Sequence, residues 1–598
     1  MQLIKKIFHL LTSQERKRAG LLLILILIMA IFEMIGVASI LPFIAVLTNS
    51  SLIQTNPILS TMYNFSSNFG IENNQQFLFA LGVMVFLLLI FSLTLKAITT
   101  YVQIRFVQML EYNISKRLME RYLSQSYSWF LNRHSAEFGK TMLSEVGAVI
   151  GNGIKPLIEL IARGTVSIAL LILLIMTDPI IALIVGASLG GSYILIYKFT
   201  KSYISKMGRI RFEKNEQRFK SVSEAFGAIK EIKMGGLEQI YINRFSEPSR
   251  TIATNVASTS VIQDFPRFAL EALAFGGIML LILYQITQAG SFNNALPVIS
   301  LYAFAGYRLM PALQLIYGSF SKFAFIGPSL DKIYQDFQNL IKFDLSHEQK
   351  KEIITFNKSI NLKDIYFNYP GSLRTTLKNI SIEIPANTTV GLVGATGSGK
   401  TTTVDIILGL FEGQKGKLEV DGKKITKHNS GSWQKLLGYV PQYIYLSDDT
   451  VSSNIAFGVD PKYIDQDAVE RASKIANLHD FVKEELPKKY QTKIGERGVR
   501  LSGGQRQRIG VARALYHNPK VLILDEATNA LDNVTEQAVM DAVNNLSKNI
   551  TIIMIAHRLN TVKKCDKIYL FDKGELKNEG TFDELVKVNE NFRISVKN

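Results

Sequence analysis

Between residues 20 and 47 the only ionisable side chain is Glu33. A run that apolar exceeds the ~20 residues an α-helix needs to cross a bilayer. Five more segments of this kind follow, at 77–125, 140–176, 180–218, 256–288 and 295–337. Six crossings return the chain to the side it started from. The second and fourth segments overrun the hydrocarbon and so project into water. The distribution of Lys and Arg fixes which side that is. Residues 1–18, 105–140 and 197–250 carry many, whereas the loops at 48–76, 177–179 and 287–296 carry none. That is the positive-inside bias of a membrane protein, with both termini cytoplasmic. It assigns the formal net charge of +17 to topology rather than to nucleic acid. The first apolar run is too long for a cleavable signal and lacks a small-residue cleavage site after it. The single cysteine, Cys565, excludes an intrachain disulfide and a Cys-based zinc site.

Polar residues inside the apolar segments mark candidate substrate contacts. Glu33 lies about 13 residues into the first span, roughly 20 Å by helical rise. Arg308 sits about 12 residues into the sixth, at similar depth. A cation there costs at least ~2.5–3.5 kcal/mol, so it faces a cavity or a partner. Two readings stand: a pair with Glu33 or another helix's backbone, or an anchor for phosphate in a translocation path. Lys96 and Arg105, near the inner boundary, either snorkel or guide an anionic head group inward. Arg267 and Glu271 are spaced as a helix pair. Pro42 should kink the outer end of the first span. In the loop 48–76, Ile58, Leu59, Met62, Tyr63 and Phe69 fall near helical spacing. They predict an amphipathic helix on the outer leaflet or a cap over the bundle. Two polar cytoplasmic tips, 126–139 and 221–236, carry Trp129-Phe130 and Ala225-Phe226; they read as short helices that dock on another domain.

The pattern then changes. Residues 1–337 are the membrane part, 338–358 a polar linker, and 359–598 a soluble α/β domain. Short strands are predicted at 360–367, 380–384, 390–393, 417–420, 521–525, 551–555 and 567–571. Several alternate with helices, which points to a mainly parallel sheet.

The octet Gly394-Ala395-Thr396-Gly397-Ser398-Gly399-Lys400-Thr401 follows an apolar strand and precedes a helix that begins at Thr402. Glycines let the backbone N–H groups close on phosphate oxygens at a helix N-terminus. Lys400 would reach the β/γ-phosphates and the Thr401 hydroxyl would hold Mg²⁺. The strand 521–525 ends in Asp525-Glu526, a metal carboxylate followed by a base for the attacking water. Paired acids after a strand also suit a helix N-terminus. Ser502-Gly503-Gly504-Gln505 opens a basic helix and forms a second anion site. Two anion sites far apart on one domain predict two chains head to tail, each closing over the other's ATP.

This set of motifs resembles the ATP-binding cassette family. The sequence has Walker A at 394–401, the LSGGQ signature at 501–505 and Walker B at 521–526. The likeness extends to Gln442 in Tyr439-Val440-Pro441-Gln442, Asp532 in Ala530-Leu531-Asp532, His557 after 552–556, and Tyr369 in Phe367-Asn368-Tyr369-Pro370. The resemblance implies that Tyr369 stacks on adenine, Gln442 senses Mg²⁺, His557 contacts the γ-phosphate, and Asp532 joins the nucleotide contacts. Six helices before one cassette resemble half-size exporters of the type IV fold, working as homodimers. The loop 492–498 resembles one that exporters set against their coupling helices.

Phe32-Glu33-Met34-Ile35-Gly36-Val37, Pro42-Phe43 and Tyr307-Arg308-Leu309-Met310-Pro311 resemble a narrower group. These are the bacterial flippases of lipid-linked oligosaccharides in protein N-glycosylation. That likeness implies inward-to-outward flipping of a polyprenyl-pyrophosphate glycan across the bacterial inner membrane. Export of drugs, peptides or other lipids is the competing reading. A soluble ATPase of this family acting on nucleic acid is opposed by the apolar spans, and an ATP-gated channel is not distinguished from sequence.

Overall fold

The computed structural model describes residues 2–597 apart from 69, 72, 178, 290–291, 342–351, 373, 496–497, 528–532, 547–548 and 557–558. The chain divides into two compact units, Met1–Gln125 with Arg133–Phe343, and Ser126–Asn132 with Asp344–Asn598. Most of the predicted linker lies outside the described residues.

The first unit is helical. Helix Ser13–Ala38 opens on a capping box in which Thr12 and Glu15 each accept the other's backbone N–H, closing donors the first turn leaves open. It stops at Ser39, and helix Ile40–Thr48 begins at once. Pro42 explains the break, because its ring excludes the carbonyl four residues earlier, that of Ala38. The expected kink therefore falls one turn inward of the proline.

Helix Asn74–Leu123 has 50 residues, about 75 Å at 1.5 Å per residue, more than twice the ~30 Å hydrocarbon thickness. Helices Pro179–Gly227 and Glu238–Ala289 have 49 and 52 residues, and Phe292–Asn339 is the sixth long element. The third predicted span is not one regular helix. π-helical turns Thr141–Glu145 and Ile150–Ile154 interrupt it before Lys155–Thr177. Among the described residues, Ser13–Thr48, Asn74–Leu123, Ser135–Met176 and Leu309–Asn339 are long and apolar enough to cross a membrane. The fourth and fifth predicted spans fall within Pro179–Gly227 and Glu238–Ala289, whose side chains at membrane depth are only partly described. In the outer loop, helix Pro57–Ser67 buries Leu59 against Val46, Phe77 and Leu81, while Ile58 and Phe65 stay exposed. It is amphipathic and caps the bundle with one face; Phe69 lies outside the described residues.

The first π-turn delivers Glu145, which is fully buried. Its carboxylate accepts from Arg211 Nη1 at 2.6 Å, Asn215 Nδ2 at 2.7 Å and Ser329 Oγ at 2.5 Å. One carboxylate thus ties the third, fourth and sixth elements together, with its charge paired and its lone pairs satisfied. One turn earlier in Pro179–Gly227, a Cβ on Gly208 would overlap the carbonyl oxygen of Phe325. The fourth and sixth elements therefore touch backbone to backbone beside the ion pair.

Ten strands shape the second unit: β1 (Ser359–Phe367), β2 (Leu377–Pro385), β3 (Thr389–Gly394), β4 (Lys415–Val420), β5 (Lys423–Lys424), β6 (Leu437–Val440), β7 (Val521–Asp525), β8 (Thr551–Ile555), β9 (Lys567–Asp572) and β10 (Glu575–Gly580). They form two sheets, β2-β1-β4-β5 and β10-β9-β3-β8-β7-β6. The larger sheet is parallel except for β10. The smaller is antiparallel, which corrects the single mainly parallel sheet expected from sequence. The reason lies in the side chains: β1 and β2 alternate buried and exposed positions, whereas β7 and β8 are buried throughout. Alternation suits a sheet with one wet face, and unbroken burial suits a parallel core. The short strands β5, β6 and β10 were not expected from sequence.

Gly208→Ala forces the two touching helices apart. Overpacking of this kind costs about 1–3 kcal/mol, so the thermal midpoint of the detergent-purified protein is expected to fall. An unchanged midpoint means the backbone contact is not a constraint.

A nucleotide site at the sheet edge and a cationic pocket among the helices

Parallel register assembles the first site. Leu392 in β3 and Asp525 in β7 both pair with Ile555 of β8, so Asp525 stands level with the strand end from which the glycine loop leaves. In that loop Gly394, Gly397 and Gly399 have φ of 148°, 77° and 107°, the region where side chains are strained. A Cβ on Gly394 would also overlap the Phe571 carbonyl oxygen. Gly399 caps helix Lys400–Ile407, whose first turn exposes Thr401 and buries Thr402.

Lys400 is buried and donates to the carbonyls of Gly394 at 2.7 Å and Ala395 at 3.0 Å. Burial lowers its pKa, and the nearby Glu526 and Asp525 carboxylates oppose that shift. The Ser398 hydroxyl is buried with no hydrogen-bond partner among the described residues. A buried orphan hydroxyl, a buried ammonium and a helix N-terminus in one loop make a donor set that fits phosphate oxygens.

Asp525 is buried and accepts from the Tyr439 hydroxyl at 3.3 Å. The next residue, Glu526, takes φ of 51°, a left-handed turn that costs a non-glycine residue roughly 1–3 kcal/mol. Its carboxylate accepts from Gln442 Nε2 at 2.7 Å. The strand and the Tyr439–Gln442 segment, 86 residues or so apart, thus deliver an acid, an amide and a second acid to one place. Tyr369 stands beside them, its hydroxyl 3.0 Å from Thr402 Oγ1. Asp532 and His557 lie outside the described residues.

Ser502 caps helix Gly503–Tyr516. Its hydroxyl accepts from Gln505 N, and Gln505 Oε1 accepts from Ser502 N. Gln505 therefore completes a capping box. This helix packs against β6, the edge strand three steps from β3. At ~4.8 Å per step that is about 14 Å of lateral separation from the glycine loop. The two anion sites do not meet within one chain.

The description "ABC transporter transmembrane region" matches residues 19–307, and "ABC transporter" matches 377–529. The ATP-dependent lipid A-core flippase of Francisella tularensis subsp. tularensis is 31% identical over 555 residues, covering 89% of this chain and 87% of that one. This chain belongs to the ABC transporters. The Photobacterium profundum protein of the same name is 28% identical over 487 residues, 79% of this chain and 80% of its own. The structure of a bacterial Atm1-family ABC exporter with ATP bound superposes with a TM-score of 0.76 over 97% of both chains, at 20% identity. The transporter therefore has the type IV exporter fold and is an ATP-driven exporter, hydrolysing ATP to move a substrate across a membrane.

A second site lies within the helical unit of the transporter. A cavity of about 250 Å³ is lined by Lys96, Gln103, Gln108, Lys155, Glu159 and Arg163, among others. Lys96 Nζ is 2.8 Å from Glu33 Oε1, and Glu33 is buried. Lys96 therefore bonds inward to Glu33 rather than only snorkelling, a contact not anticipated from sequence. Arg105 is exposed and does not line the cavity. The side chain of Arg308 lies outside the described residues. The Arg267–Glu271 pair forms as expected, at 2.6 Å. Lys155 and Arg163 escaped sequence reading because the π-turn before Lys155 shifts their phase relative to a regular helix.

Tyr439 and Asp405 were also missed, although Tyr439 precedes Gln442 by only three positions. Burial and the facing Asp525 carboxylate push the Asp405 carboxyl up to about 6. Its folded pKa exceeds the unfolded value of ~3.9, so the fold favours the protonated form. That contribution is present below about pH 4 and is lost as pH rises through about 6. Asp405→Asn is expected to raise the thermal midpoint of the nucleotide-free protein at pH 8 and to raise it less at pH 5. Equal gains at both pH values would count against the buried carboxyl as the cause.

Proposed function

We propose that two copies of this chain form a homodimer that moves a phosphate-bearing glycolipid from the inner to the outer leaflet of the bacterial inner membrane. The observation that carries the substrate class is the cation-lined cavity. Lys96 is matched by Glu33 and Lys155 lies 3.9 Å from Glu159, so among the described residues Arg163 brings unmatched positive charge. Its planar fork suits a phosphate bidentately. A hydrophobic cation, as many drugs are, gains nothing from such a lining. The relatives' names specify lipid A-core, and a polyprenyl-pyrophosphate glycan is the other candidate. Both are phosphorylated glycans on lipid tails, so one cavity chemistry serves either. At about 250 Å³ it accommodates a phosphate with part of a sugar, leaving the tails in the bilayer.

On the nucleotide side, Lys400 and the loop N–H groups hold the phosphates, and Tyr369 provides a platform for adenine. Thr401, Gln442 and Asp525 would hold Mg²⁺, which supplies charge neutralisation for the transferred phosphoryl group. Glu526, held by Gln442, orients the attacking water and takes its proton. Ser502, Gly503 and Gly504 of the second copy close over the same nucleotide, a role favoured by the separation of the two anion sites within one chain. His557 and Asp532 join this set on the family resemblance. Closure of the cassettes and their release after hydrolysis drive alternation of the membrane helices.

Two experiments test this. Glu526→Gln is expected to lower ATP turnover by about 10²–10⁴-fold and to hold ATP-bound dimers together in size-exclusion chromatography; wild-type turnover removes Glu526 from the role of base. Arg163→Ala, which leaves the Lys96–Glu33 pair intact, is expected to abolish stimulation of the nanodisc-reconstituted ATPase by phosphorylated glycolipid while sparing basal activity. Lipid A-core and a polyprenyl-pyrophosphate glycan are compared as separate additions. If neither stimulates the wild type, the substrate class is wrong.

A further inference from the structure

Seven residues of the first cytoplasmic tip, Ser126–Asn132, belong to the same compact unit as the cassette. Tyr127, at the start of the short helix Tyr127–Phe130, sets its ring 5.5 Å from that of Phe411. Phe411 follows the helix that opens at Lys400 and is 7% exposed. It stacks on Phe367 at 4.9 Å and 28°, and meets Tyr369 edge-on at 5.6 Å and 87°. Tyr369 in turn bonds through its hydroxyl to Thr402, beside Thr401. One buried ring therefore touches the tip, the strand β1 and the tyrosine next to the phosphate loop. Burial chiefly raises the pKa of the Tyr369 and Tyr439 hydroxyls, and Tyr127 adds to the shift at both.

We propose that Tyr127 is a positioning residue for the base site, setting the seat of Tyr369 through Phe411 and so making ATP affinity depend on whether the first tip is docked. The proposal rests on the reading of Tyr369 as the adenine platform. An edge-on aromatic contact fixes a ring's tilt as well as its place. With Tyr127 withdrawn, Phe411 loses one of its three aromatic neighbours and Tyr369 is held less firmly. The dependence is reciprocal: bound ATP favours the docked tip by the same factor. Adenine thus reports to the membrane helices by a route separate from the phosphates.

The test uses full-length protein in nanodiscs. Tyr127 is 44% exposed, so its truncation removes little core. Tyr127→Ala is expected to raise the KM for ATP about three- to tenfold, the worth of one aromatic pair, with kcat changed less than twofold. The preference for ATP over GTP narrows, and Tyr127→Phe restores wild-type values because the ring makes the contact. In a Tyr369→Ala background the effect of Tyr127→Ala on KM disappears. Additive effects in the double variant, or a fall in kcat with KM unchanged in Tyr127→Ala, overturn the proposal while leaving the platform intact. Tyr369→Ala with unchanged KM and unchanged base preference sinks the platform reading itself.

Discussion

The chemistry of the cassette depends on the register of three parallel strands. β3, β8 and β7 are apolar on both faces, and Ile555 pairs with Leu392 on one side and Asp525 on the other. A slip of one residue would turn Asp525 to the opposite face and move Glu526 out of reach of Gln442. Burial on both faces makes such a slip costly, because every side chain of β7 and β8 is in the core. The strands can thus hold an acid at a fixed distance from a glycine loop that has little side-chain mass of its own. The strained turn at Glu526 persists because the strand before it and the bond to Gln442 after it leave no freedom to relax.

The helical unit solves a different problem, that of burying charge between its helices. Buried carboxylates there are paired: Glu33 with Lys96, Glu145 with Arg211, Glu15 with Arg117. Each pair joins elements distant in sequence, so the cost of desolvation is offset by bonds that also fix helix register. The π-turns at Thr141–Glu145 and Ile150–Ile154 belong to the same solution. An extra residue per turn rotates the downstream helix by about 100°, turning Glu145 inward to the Arg211 cluster and bringing Lys155 and Arg163 round to the cavity. The cavity lining brings Lys96, Lys155 and Arg163 together with Glu159.

Much of this was legible in the sequence, and the exceptions share a cause. Apolar length announced the long helices, and glycine spacing announced the phosphate loop, because both depend on local residues alone. Asp525, Glu526 and Gln442 were legible as motif members; that Gln442 bonds Glu526 was not, since it depends on β6 lying beside β7. The same holds for Lys96. Composition gave its depth, but only helix packing brings it to Glu33. The antiparallel sheet was hidden because strand content alone does not give pairing direction; the alternation of buried and exposed positions in β1 and β2 is the signal that separates them. Arg163 was hidden behind a π-turn, which no apolar periodicity marks.

The resting contacts of Lys400 show how such a site is kept ready. Its ammonium has left water and bonds two carbonyls of its own loop, which pins the loop into the shape that glycine φ values allow. Phosphate oxygens then need displace only those two weak acceptors, without paying to order the loop. The exchange is favourable because a phosphate oxygen carries a negative charge that a neutral carbonyl lacks, adding charge–charge attraction to the bond. Ser398 adds to it in one direction only, for its hydroxyl has no bond to give up. The carboxylates of Asp525 and Glu526 oppose the drop in the Lys400 pKa that burial brings.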